Sequence, residues 1–350
     1  MSSDTSNNIS PTRSDVTNIT TNITKVSERF YISKARKINH RDIKLSAQSS
    51  PYKMGNMVAR GAESVLYSGT VDGYPVCIKA VRNTLNKWIG NSQTRNQKEK
   101  LDNVAYRTKV RHINNEYDIS KLLYEDGELP VVHIYALRKV TSFGLELGFD
   151  LIMEPLNGHD LADKIIGKNL GLEDKLNVFQ QAITALDYVH KHKIIHLDIK
   201  PSNFMMNNDK VKLLDFGVSS GMGFRPTAIT GTGGYLSPEQ ICKESVDERT
   251  DIFALGITFS VLFGGKQLNQ PQSELMMKQT RIESKYHLEH DEKSMIADIP
   301  ELVNYPKIAE VIRNCAIPMR DKRPANCSVL MSQLVSAASE YNIELEKKLL

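Results

Sequence analysis

No two of the four cysteines lie close enough in sequence to suggest a metal knuckle or a redox pair; Cys77, Cys242, Cys315 and Cys327 are scattered along the chain. A disulfide framework is excluded as well, because 350 residues can bury a core without covalent staples, and unpaired thiols suit a reducing, cytoplasmic setting. Long apolar runs are missing too. The longest, Ile252 to Phe263, is about half a membrane span and contains Thr258 and Ser260, which marks a buried core helix. The first residues lack the basic-then-apolar pattern of a secretory leader. Charge of one sign is also lacking: a net charge of +4 gives no argument for nucleic acid or a membrane surface. No internal repeat is visible.

Residues 1–50 are rich in Ser, Thr, Asn and charge, with little hydrophobic periodicity, and read as a flexible tail. Within it, Lys25 to Lys44 holds seven basic residues against two acids, which reads as a solvated linker or, alternatively, a docking arm. From Tyr52 the texture changes to short β-branched runs. Ser64–Tyr67 and Pro75–Val81, separated by Asp72-Gly73, predict a hairpin. A polar stretch, Asn83 to His112, carries the only tryptophan, Trp88, and precedes Ile113, Glu116, Ile119, Leu122 and Leu123 at helical spacing. Val131–Arg138 and Phe149–Met153 predict further strands, and Leu161 to His192 predicts a mainly helical segment. Strands first and helices afterwards predict an α+β chain with a small β-rich lobe and a larger α-rich one.

Chemistry concentrates in three motifs. His196-Leu197-Asp198-Ile199-Lys200-Pro201-Ser202-Asn203 is followed twelve positions after Asn203 by Asp215-Phe216-Gly217, and then by Ser237-Pro238-Glu239. In this order they resemble the signature of eukaryotic-type Ser/Thr protein kinases: a catalytic loop with its downstream Asn, Asp-Phe-Gly, and Ala-Pro-Glu. The resemblance covers roughly residues 52 to 340. It implies the bilobal protein kinase fold over 51–340, with an N-lobe of about 52–153, a C-lobe of about 157–340 and a helical extension over 341–350. It also implies a soluble enzyme using ATP and Mg²⁺ (or Mn²⁺) on protein substrates bearing Ser or Thr.

The implied roles follow the chemistry of phosphoryl transfer, in which the protein positions groups and neutralises charge. Asp198 would accept the proton of the substrate hydroxyl, and Lys200 would reach the transferring phosphate. Asn203 and Asp215 would offer hard oxygen ligands to the metal. Lys79, in Val76-Cys77-Ile78-Lys79, resembles the lysine that meets the α- and β-phosphates, and Glu116 its ion-pair partner. Glu154 and Leu156 would bond adenine through the backbone. Gly231 to Glu239 resembles the segment that receives a substrate peptide, with Thr232 near Asp198, and small-molecule kinases usually lack it. Asp251 and Arg323 resemble structural anchors, of the catalytic loop and of Glu239 respectively.

Two departures stand out. The glycine-rich loop appears as Ala59-Arg60-Gly61-Ala62-Glu63-Ser64, so one of three glycines survives, and Ala59 and Ser64 predict a stiffer loop. A pseudokinase or scaffold that binds partners through this fold is therefore the alternative reading. Leu197 replaces the arginine that pairs with a phosphorylated activation loop, so packing, for instance of Phe224 and Tyr235, would have to hold that loop. A lone catalytic domain behind an Asn/Ser/Thr-rich tail would also suit a secreted effector in a host cytosol.

Overall fold

The computed structural model describes residues 39–61, 63–83, 92–163, 170–207, 209–268 and 293–345. Residues 1–38, which carry most of the expected tail and the basic run from Lys25, lie outside the described residues, as do Ala62 and Trp88.

The N-lobe is a five-stranded antiparallel sheet of order β1-β2-β3-β5-β4, formed by Tyr52–Arg60 (β1), Val65–Val71 (β2), Tyr74–Arg82 (β3), Ile134–Ser142 (β4) and Leu145–Met153 (β5). The β2–β3 hairpin turns at Asp72 and Gly73, both at positive φ (47° and 82°), which a two-residue turn of the twist-matching type requires. Against this sheet lies α2, Ser92–Leu122. The apolar repeat places its start near Ile113, but the helix begins 21 residues earlier. No Gly or Pro interrupts 92–122, so good helix formers propagate it where no apolar stripe advertises it. Much of the polar stretch is thus helix.

A helix α1, His40–Ser49, packs on the other face of the sheet, so residues 39–50, expected to belong to the flexible tail, are part of the fold. Asn39 caps it, its Oδ1 accepting from the N–H groups of Arg41 (3.1 Å) and Asp42 (3.4 Å). Ile43 and Ala47, one turn apart, are fully buried among Val71, Val76, Ile78, Tyr135, Ala136 and Ile152. Arg138 closes its far end, donating to the carbonyls of Ala47 (2.9 Å) and Ser50 (2.8 Å).

Beside this helix, the His40 ring stacks on buried His133 at 3.7 Å, and its Nδ1 lies 2.9 Å from Tyr135 Oη. Burial, with Lys212 adding repulsion, lowers His40 to about 4. Burial, then His40 and Lys212, lowers His133 to about 3. Both bases have folded-state values below the unfolded 6.5. The stability they carry is therefore complete above that value and is lost as pH falls through it. The urea midpoint is expected to drop between pH 7 and pH 4.5, and His133→Leu should flatten that dependence. An equal drop in the variant would remove the pair as its cause.

The C-lobe is built from α3 (Leu172–Lys191), α5 (Glu248–Leu262), α6 (Pro306–Cys315) and α7 (Cys327–Ser339), with the four-residue α4 (Pro238–Ile241) before α5. Among the described residues the helical segment expected from Leu161 begins only at Leu172; Leu161 and Ala162 form a turn. Helix α5 is buried almost all round, as expected from its apolar run, and Thr258 answers its own hydroxyl by donating to the Ala254 carbonyl. Phe259 of α5 stacks on Phe179 of α3 at 4.1 Å. Short strands carry the loops: β6 (His159–Asp160), β8 (Phe204–Asn207) and β9 (Lys210–Leu213) form one small sheet, and β7 (Ile194–Ile195) pairs with β10 (Ser220–Gly221). The expected C-terminal helical extension is not formed over 341–345, which are turn and irregular chain, and 346–350 lie outside the described residues.

Candidate active site

Lys79 is held in the sheet centre, its backbone paired with Leu66 on β2 and Leu151 on β5. Its Nζ lies 2.7 Å from Glu116 Oε2 on α2 and 3.0 Å from Asp215 Oδ1. Burial alone would lower the Lys79 ammonium, but the two carboxylates outweigh it and hold the group firmly protonated. Burial pushes the Glu116 carboxyl up to about 7, against Lys79. For Asp215 burial acts upward too, yet Lys79, with His196 and Lys200 behind it, holds the carboxyl below the usual range. Asp215 has a left-handed backbone, φ 65°. The helix behind it fixes this turn: Asn115 Nδ2 donates to the carbonyls of Phe216 (3.1 Å), Gly217 (3.1 Å) and Ser219 (3.0 Å).

Asp198 sits in a closed set of bonds. Thr232 Oγ1 donates to its Oδ1 at 2.6 Å, Lys200 Nζ to its Oδ2 at 2.7 Å, and Asn203 Nδ2 to its backbone carbonyl at 2.7 Å. Lys200 Nζ also donates to Thr232 Oγ1 at 2.7 Å. With its amide nitrogen used inward, Asn203 keeps Oδ1 for a cation. Asp251 of α5 anchors the loop from below, accepting from the N–H groups of His196 (2.7 Å) and Leu197 (2.8 Å) and bonding His190 Nε2 at 2.9 Å. His196 Nε2 reaches the Leu214 carbonyl at 2.9 Å, and its ring meets Phe216 edge-on at 5.0 Å. The expected residues Lys79, Glu116, Asp198, Lys200, Asn203 and Asp215 are thus joined through two linked clusters.

The loop over the cleft is less generous. Ala59 lies one residue before the end of β1, paired with Leu66, and Gly61 N–H donates to the Ser64 carbonyl at 2.9 Å, so that donor is spent inside the turn. Glu63 beside it bonds His112 Nδ1 of α2 at 2.8 Å. Sequence reading missed both Asn115 and His112, since neither has a local signature; each acts on a partner about 50 residues away or farther. At the lobe connection, the N–H and the carboxylate of Glu154 are both turned inward. Its N–H donates to the His133 carbonyl (2.9 Å), and its carboxylate is buried against Lys212 (2.7 Å) and His133 N–H (2.8 Å). Of Glu154, only the backbone carbonyl remains for adenine. Leu156 is half-buried on the main core. Asp160 closes a turn, accepting from Ala162 N–H at 2.9 Å.

Oxygen donors and an ammonium facing one cleft can position a polyphosphate, bind a hard cation and take a proton from a hydroxyl. Residues 52–335 match the family described as protein kinase domain. The serine/threonine-protein kinase PknB of Mycolicibacterium smegmatis is 34% identical over 123 residues, 33% of this chain and 20% of that protein. Serine/threonine-protein kinase ULK3 of Xenopus laevis is 31% identical over 169 residues, 46% of this chain and 36% of that protein. Calcium/calmodulin-dependent protein kinase type 1 of Macrobrachium nipponense is 26% identical over 249 residues, 68% and 64% respectively. The chain therefore spans less than two thirds of the length of these relatives.

Proposed function

This chain belongs to the protein kinase family, and from that membership we propose that it is a serine/threonine kinase that transfers the γ-phosphate of ATP to Ser or Thr hydroxyls of other proteins. The observation that carries the reading is the Lys200 ammonium, bonded at 2.7 Å both to Asp198 and to Thr232 of the peptide-receiving segment. Asp198 orients the acceptor hydroxyl and takes its proton; Lys200 neutralises charge on the transferring group. Lys79, held by Glu116, grips the nucleotide phosphates. Asn203 and Asp215 would hold Mg²⁺ or Mn²⁺, which neutralises the triphosphate when bound. Four cysteines outside any disulfide, three of them buried, suit a cytoplasmic setting.

Purified protein, incubated with labelled ATP, Mg²⁺ and a generic basic protein, should yield phosphoserine or phosphothreonine, and chelator should stop it. Folded protein that binds nucleotide without transfer would favour the scaffold reading. One observation speaks for that alternative: the Gly61 donor is consumed by Ser64 and so is withheld from phosphate.

Leu197 sets the regulation we expect. It is buried with Ile195 and Val246 against half-buried Val218 and Met222, so it joins the activation segment by apolar contact where an arginine would use charge. Its left-handed backbone (φ 68°) is pinned by Asp251 at the N–H and by Gln240 Nε2 at the carbonyl, 2.9 Å. Phe224, expected to pack the loop, is 45% exposed and does not. Ser219 is buried with its hydroxyl on the His196 carbonyl, which leaves Ser220, Thr227 and Thr230 as acceptors. Homogeneous unphosphorylated enzyme, verified by intact mass, should turn over within about tenfold of the phosphorylated form, as should the triple Ala variant at those positions. A hundredfold activation, roughly 3 kcal/mol in barrier, would show that a cation elsewhere does this work.

A further inference from the structure

A cavity of about 450 Å³ opens in the C-lobe beside the reacting groups, and no step above uses it. One edge is formed by Lys200 and Thr232, the two side chains that bond Asp198. Leu161, Tyr235, Val261 and Leu262 are the large apolar and aromatic side chains of the remaining wall. These come from the turn after β6, the peptide-receiving segment and the last turn of α5, three separate parts of the chain. Leu161 and Leu262 are each 5% exposed, so that wall is fixed by the core behind it.

The charge balance of this lining decides what it accepts. A guanidinium or ammonium entering it would face Lys200, already a cation. Among the described lining residues the one carboxylate, Asp163, is engaged by His159 Nδ1 at 2.9 Å, and both oxygens of Asp198 are taken by Thr232 and Lys200. A carboxylate guest would compete with Asp198 for Lys200 and be desolvated against leucine, valine and tyrosine. An aliphatic or aromatic side chain meets neither cost and gains from leaving water. Extended chain rises about 3.3 Å per residue, so a cavity sharing two walls with the Asp198 cluster is within reach of a residue one to three positions from the acceptor.

We propose that this cavity is a specificity subsite that takes an apolar side chain flanking the acceptor Ser or Thr of the substrate polypeptide. The inference rests on the kinase reading and names its substrate class: hydroxyl-bearing segments with Leu, Met, Ile or Phe close to the acceptor, and not segments directed by Arg or Lys. Val261 is half-buried at the wall and Ser202 is exposed at the rim, so a carboxylate at either would change the character of the cavity. Val261 lies outside the machinery around Asp198; Ser202 stands in the catalytic loop itself, so its variant is read by the rank order of peptides and not by its absolute rate.

Peptides carrying one Ser, with Ala, Leu, Phe or Arg placed in turn at each of three positions on either side, provide the test. For the intact chain, Leu or Phe at one position should raise kcat/KM about tenfold or more over Ala and over Arg, which is the scale of burying one such side chain. Val261→Glu should erase that preference and raise the rank of Arg; Ser202→Glu should do the same from the surface, and decides the matter if Val261→Glu does not fold. A preference for Arg, or no apolar preference at any position, would overturn the subsite. Binding of the same peptides with the acceptor changed to Ala, followed by fluorescence anisotropy, separates the two readings. If no peptide is phosphorylated but Leu peptides bind tenfold tighter than Arg peptides, and lose this in the variants, the subsite stands while the kinase reading falls. Equal binding of Leu, Ala and Arg peptides would sink the subsite whatever the catalytic result.

Discussion

Lys79→Ala and Asp215→Ala are each expected to lower phosphate transfer by roughly 10²–10³-fold or more, the scale on which a preorganised charge contact to a transferring group acts. Both should leave the fold standing, for different reasons. Removing Asp215 takes away one of two partners of Lys79 and leaves the 2.7 Å pair with Glu116 in place. Removing Lys79 strands Glu116, but burial has already moved that carboxyl to about 7, so it can take up a proton and stay buried as a neutral acid. Melting temperatures should accordingly fall little for Asp215→Ala and somewhat more for Lys79→Ala. The measurement is steady-state transfer from labelled ATP by protein whose circular dichroism matches the parent chain. Near-parental turnover in either well-folded variant would remove the assignment of this cleft.

The residues of that cleft were legible because chemistry imposes their identity at fixed local spacing. Asp198, Lys200 and Asn203 share one loop, and Asp215 follows at a set distance. Glu116 was legible for a different reason: apolar neighbours at helical period mark its helix. Where that period is diluted the reading fell short. Helix α1 buries just Ile43 and Ala47 between polar residues, too few to stand out from the Ser- and Asn-rich chain before it. Helix α2 keeps its propensity but loses its stripe toward Ser92, so its true start was hidden. Asn115 and His112 were illegible for a more general reason. Their partners, Phe216 to Ser219 and Glu63, are brought near only by the finished fold, and no local pattern encodes such a pairing. Leu197 lies between these cases. Its lack of charge was plain, but that it turns inward to Val246 and Met222 is a property of the packed loop.

Arg323→Ala should be among the most destabilising single changes in the C-lobe, because no N–H of that guanidinium is idle. Two meet Glu239 in a bidentate pair, Nη1 to Oε1 at 2.7 Å and Nη2 to Oε2 at 3.0 Å. The other three donate to the carbonyls of Ile317 (2.7 Å), Arg249 (2.9 Å) and Pro318 (2.8 Å). Glu239 is buried, which alone would raise its carboxyl; Arg323, helped by Thr250, outweighs burial and holds it ionised and below the usual range. Cutting away the guanidinium therefore leaves a buried charge and the buried carbonyls of Ile317 and Pro318 unanswered, a loss of about 3–5 kcal/mol. That is a large share of the roughly 5–15 kcal/mol by which a domain is stable. A double change, Arg323→Ala with Glu239→Ala, removes the stranded charge and should cost less than the sum of the single changes. It should not return to the parent value, since the carbonyls of Ile317 and Pro318 still lack their donor. Because Glu239 ends the segment that holds Thr232 and directly precedes Gln240, the partner of Leu197, activity in the variants should fall with the folded fraction and not before it. Urea unfolding read by circular dichroism would measure all three. An Arg323→Ala variant within about 1 kcal/mol of the parent would mean that the pair is solvated in solution and does not anchor this lobe.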